Sequence, residues 1–149
     1  MALLIGGENP YGWVRAIYTI QNGVAECELA IDDSEYPDDI ERRIIILENG
    51  YIRAENARAE YVTQAYYRFE EGQLKFVARL GHYNDAKGGN FRVEPPGEKK
   101  DFTFNYFPDG AEVRISEEES LRLYMQFKGE NYEGKPADLN WKPLAEYGR

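Results

Sequence analysis

Four tight-turn signals constrain this chain more than any other feature. Asn22-Gly23, Asn49-Gly50, Glu71-Gly72 and Pro108-Asp109-Gly110 each separate two segments in which apolar and polar residues alternate. Asn-Gly and Asp-Gly tolerate the positive φ that short hairpin turns require, so each pair of segments reads as a β-hairpin. The flanking segments are Trp13–Gln21 with Val24–Ile31, Arg43–Glu48 with Tyr51–Ala54, Ala59–Glu70 with Gln73–His82, and Phe102–Phe107 with Ala111–Ser116.

Within these segments the period is two. Val14, Ala16, Tyr18 and Ile20 share a face, as do Cys27, Leu29 and Ile31, and likewise Leu74, Phe76, Ala78 and Leu80. Val113 with Ile115, and Leu121, Leu123, Met125 and Phe127, extend the pattern. One apolar face per strand means a sheet with one side on a core. Arg53–Glu60 carries helical propensity; the reading is a strand from about Ala59, with a helical turn before it as the alternative. Glu117-Glu118-Glu119 reads as a solvated turn between two strands, and residues 129–149, with Pro136 and Pro143, as an irregular tail pinned by Trp141 and Leu144.

Sequential hairpins of similar length predict an all-β fold, an antiparallel up-and-down barrel of about 8–10 strands, because closure removes exposed edges. A two-sheet β-sandwich is the alternative, favoured by two longer crossovers, Asp32–Arg42 and Tyr83–Lys100. The length of 149 residues suits one domain, 1–149. With 14% aromatic residues the chain has the rings to build a core, unlike a disordered segment.

Charge narrows the partners. Eighteen Lys and Arg against 27 Asp and Glu leave −9, which argues against nucleic acid or an anionic membrane and suits a basic protein. No apolar run approaches the roughly 18–20 residues of a membrane span, and Met1–Ile5 lacks the basic region of a signal peptide. A lone thiol, Cys27, forbids an internal disulfide, so a cytoplasmic location is expected.

Chemistry-bearing motifs are sparse. His82 is the only imidazole and is the weak catalytic candidate, a general acid or base at a strand end. Cys27 lies between Glu26 and Glu28, the opposite of the cationic setting that activates a thiolate. One Cys and one His exclude a structural zinc site. The acidic stretch Asp32-Asp33-Ser34-Glu35-Tyr36-Pro37-Asp38-Asp39 lacks the central Gly and twelfth-position Glu of a calcium loop. Neither Gly6-Gly7 nor Lys87-Gly88-Gly89-Asn90 has the spacing of a phosphate loop. No cofactor or metal is expected.

Aromatic residues are the most informative set. Tyr18, Tyr61, Tyr67, Phe76, Phe104 and Tyr106, with Met125 and with His82 near the mouth, would line a partly polar lumen for an apolar or aromatic small molecule. The hairpin series with Gly12-Trp13 opening its first strand resembles, in architecture, the calycin barrels of the lipocalin and fatty-acid-binding group. Lipocalins usually open with Gly-x-Trp, whereas Gly12 directly precedes Trp13 here. The leading expectation is a small-molecule-binding barrel. The alternatives are an acidic interaction module, inhibitor- or immunity-like, using Asp32, Asp33, Glu35, Asp38 and Asp39 against a basic protein, and a barrel isomerase or cyclase.

Overall fold

Three of the four turn signals do what the sequence asks of them; the fourth, Pro108-Asp109-Gly110, lies outside the described residues. In the computed structural model, Asn22 and Gly23 take φ of 52° and 76°, as do Glu71 and Gly72, the paired left-handed geometry that matches strand twist. At the Asn49 turn, Gly50 takes φ of 89°, its N–H reaches the Leu47 carbonyl at 3.0 Å, and the Asn49 side chain accepts the Tyr51 N–H at 3.2 Å. The structure describes residues 2–6, 13–31, 41–58, 61–85, 88–94, 113–128 and 134–139.

The described strands are β1 (Ala2–Ile5), β2 (Trp13–Val14), β3 (Ala16–Gln21), β4 (Val24–Ala30), β5 (Glu41–Ile46), β6 (Tyr51–Arg58), β7 (Tyr61–Glu70), β8 (Gln73–Asp85), β9 (Gly88–Glu94) and β10 (Val113–Ile115), followed by helix α1 (Glu117–Lys128). They form two antiparallel sheets, β1-β3-β4 and β10-β9-β8-β7-β6-β5-β2. Among the described residues the sheets are open, so the expected closed barrel is corrected. The larger sheet has a cover on each face, which leaves its strands no cause to curl onto themselves.

On one face, Ile17 and Leu29 of the small sheet join Val14, Ile44, Ile52, Ala54, Ala65, Tyr67 and Phe76 in a single apolar cluster. On the other face, Phe127 of α1, with Leu123 and Tyr124, packs on Ile45, Leu47, Tyr66, Ala78 and Leu80. Each large apolar side chain buried this way is worth about 1.5–3 kcal/mol. Residues 134–139 close the open end of β5. Pro136 bridges Leu47, the Glu48 N–H reaches the Lys135 carbonyl at 2.8 Å, and the Ala137 N–H reaches the Ile46 carbonyl at 2.8 Å. No helix of the described residues is long and apolar enough to cross a membrane.

Three expectations change. Leu121–Phe127 is helical, and its inward side chains Ser120, Leu123, Tyr124 and Phe127 follow a helical period. The start is fixed by Ser116, whose hydroxyl accepts the Glu119 N–H at 3.1 Å in a Ser-x-x-Glu capping arrangement, with acids in the first turn. Glu117–Glu119 therefore begins a helix and is not a turn between strands. The stretch Tyr51–Arg58 is one strand paired on both sides, with no helical turn. The stretch from Tyr83, expected to be a crossover, instead extends β8 to Asp85 and returns as β9.

Two β-bulges also reassign faces. Leu29 pairs with Ile17 but Cys27 pairs with Tyr18, leaving Glu28 as the extra residue. Phe76 pairs with Tyr67 but Ala78 pairs with Tyr66, leaving Val77 as the extra residue. One inserted residue moves every later side chain to the opposite face. Leu29 is accordingly buried and Cys27 exposed. Leu74 and Phe76 belong to the first cluster, Ala78 and Leu80 to the second.

Candidate functional site

Open sheets have edges, and the edges here are unequal. β1 has 4 residues, β2 has 2 and β10 has 3, whereas β4 has 7. The Asn22-Gly23 turn sends β4 back along β3, and among the described residues β3 is its only strand neighbour. Val24, Ala25, Glu26, Cys27 and Ala30 are exposed. Toward the larger sheet, buried Thr19 donates its hydroxyl to the Glu28 carboxylate at 2.6 Å. Beside the bulge, the Cys27 thiol lies against Tyr18 and raises the phenol pKa above its ordinary 10.0, since two adjacent acids resist ionising together.

β4 runs directly into the acidic stretch. Between Val24 and Glu41 the chain carries eight carboxylates and no Lys or Arg. Asp32, Asp33, Glu35, Asp38 and Asp39 lie outside the described residues. Their place in the chain is nonetheless fixed at both ends, by Ile31, whose N–H reaches the Arg15 carbonyl at 2.9 Å, and by Glu41 at the start of β5.

Of the residues expected to line a lumen, those whose side chains are described occupy different places. Tyr67 and Phe76 do meet, edge to face at 5.7 Å, inside the cluster shared by the two sheets. Tyr18 is half-buried on the small sheet. His82 stands in the β8 row that faces α1, with its ring stacked on Phe91 at 4.6 Å. Met125 projects from α1 with 60% exposure, beside Leu121 at 56%. The backbone of Tyr61 pairs with Tyr83, while Phe104 and Tyr106 lie outside the described residues.

A buried polar cluster beneath α1 escapes sequence reasoning. Glu55 receives the Arg43 guanidinium on one carboxylate oxygen and the Gln64 amide on the other, with the Arg53 Nε at 3.8 Å. The Tyr66 hydroxyl donates to Gln64 at 2.8 Å, and its ring stacks on Phe127 at 4.4 Å. Burial drives the Tyr66 pKa far above 10.0, and the nearby Arg53 offsets only part of that. In the sequence, Arg53 and Glu55 look like the solvent side of an alternating strand, whereas in the fold Phe127 of α1 covers neighbouring Tyr66 and the Gly134 segment lies against the Arg53 guanidinium. Closed in this way, the cluster serves packing and register.

No known protein family, curated protein or solved structure matches the chain.

Proposed function

We propose that this protein is an acidic interaction module that binds a basic protein. One observation carries the reading: among the described residues β4 is the longest open strand edge and is exposed, and the chain from Val24 through β4 to Glu41 carries eight carboxylates without a cation. Negative surfaces of this kind speed encounter with a positive partner and orient it. Both faces of the larger sheet are filled by side chains of the fold, which suits a protein that works from its surface. A cytoplasmic location belongs to the same proposal, because an exposed lone thiol persists in reducing surroundings.

A second reading, a small-molecule binder, draws on Tyr67 and Phe76. Along the same face lie the buried polar residues Asn56, Thr63 and Arg79, an apolar-to-polar gradient suited to an amphipathic ligand.

Native mass spectrometry of the protein purified gently from its own cells separates the two. A bound basic polypeptide that dissociates as ionic strength rises, and that binds Asp38→Lys/Asp39→Lys more weakly, supports the interaction module. A small organic molecule carried through purification by a chain with no protein partner overturns it in favour of the second reading.

A further inference from the structure

We infer that the basic partner is held by strand addition: an extended segment with Lys or Arg at alternate positions pairs along the outer edge of β4. The inference rests on the acidic-module reading and specifies how that module grips. Edge strands invite pairing, and folds commonly blunt them by keeping them short or charged. Among the described residues the other three edges are short, at 2 to 4 residues, but β4 spans 7, a length of about 23 Å. Its protection is Glu26, Glu28 and the bulge.

That protection is selective by sign. A second copy pairing antiparallel about Cys27 would set Glu26 against Glu28 on both sides of the two-fold axis, a like-charge arrangement that destabilises cross-strand pairs. A basic strand meets the exposed Glu26 as an ion pair, while the main chain supplies hydrogen bonds. The pairing of β4 to β3 is unbroken from Val24 to Cys27 and shifts at Glu28, so Val24–Cys27 is the straight part of the edge that a partner strand engages.

The probe is a blocked alternating Lys–Val peptide of about eight residues, within the usual strand length. Its control has the same sequence with alternate backbone amides N-methylated, which keeps the charge and removes one pairing edge. Amide hydrogen exchange on the intact protein is expected to slow about tenfold within Val24–Cys27 on adding the peptide. The N-methylated control is expected to bind about tenfold more weakly. Glu26→Lys, its fold checked by an unchanged amide spectrum away from β4, should weaken the unmodified peptide. Equal, salt-dependent binding of both peptides without protection of β4 overturns strand addition and leaves the acidic-module reading standing. Binding of neither peptide at low salt overturns both. Protection of β4 that grows with protein concentration alone overturns the basic partner in favour of a second copy.

Discussion

Removing the Glu55 carboxylate by Glu55→Leu is expected to be among the most damaging single changes in the larger sheet. Glu55 is 3% exposed, Arg53 is 1% exposed, and the carboxylate also accepts from Arg43 and Gln64. Breaking a buried ion pair by deleting one partner costs about 3–5 kcal/mol, because the other charge stays buried without compensation. The orphaned Gln64 amide adds about 1–3 kcal/mol unless it finds another acceptor. Against a total stability of about 5–15 kcal/mol, that is a large fraction. Arg43, with a side chain 22% exposed, can turn toward water, so Arg53 carries most of the penalty. Adding Arg53→Met should therefore recover most of the loss, since apolar replacement of a whole buried pair is often neutral or better. Urea unfolding followed by far-ultraviolet circular dichroism measures both. With a slope of about 2 kcal/mol/M, a 4 kcal/mol loss lowers the midpoint by about 2 M. A Glu55→Leu shift below about 0.5 M, or a double variant worse than the single one, would refute the reasoning.

Other outcomes follow from the same structure. Phe127→Ala, which deletes the ring stacked on Tyr66 and set edge-on to Tyr51, should cost about 3–5 kcal/mol and speed amide exchange along α1. Ser116→Ala removes the cap that accepts the Glu119 N–H and should lower the thermal midpoint by an amount equivalent to about 1 kcal/mol. Tyr66 gives an alkaline signature. Its folded pKa lies above the unfolded value of 10.0, so above pH 10 the unfolded chain has released a proton that the folded one keeps. Stability from this group is intact below pH 10 and falls above it by about 1.4 kcal/mol per pH unit. Tyr66→Phe should flatten that decline in base-dependent urea melts, and an equally steep decline in the variant would count against it.

The hairpins were legible because their signal is local. Asn22-Gly23 and Glu71-Gly72 show the positive φ that their residue types permit, and the register follows from the turn. The bulges were not legible, since an extra Glu28 or Val77 leaves the alternation of letters intact while exchanging the faces. Leu121, Leu123, Met125 and Phe127 satisfy a period of two, yet Ser116 and Glu119 carried the stronger signal, a helix start. Thr19, a polar residue between Tyr18 and Ile20, is 3% exposed and gives its hydroxyl to Glu28. Of the candidate site, the acidic composition of Asp32–Asp39 was plain in the sequence. That the strand before it, β4, is a sheet edge among the described residues was not, because strand order is set by packing between distant segments.

The seal on the end of β5 has a consequence for synthesis. The Glu48 N–H donates to Lys135 and the Ile46 carbonyl accepts from Ala137, in a segment reaching 137 − 46 = 91 residues beyond Ile46. At about 5–20 residues per second, a ribosome needs roughly 5–18 s to deliver that segment after Ile46 has been made. From the synthesis of Arg58 until that of Ala137 the hairpin of β5 and β6 can exist while the edge at Leu47 stands open, with α1 unmade for most of that time. The nascent chain thus passes through a window in which its middle strands are exposed to other nascent chains, and a message truncated before Pro136 would hold the chain there permanently.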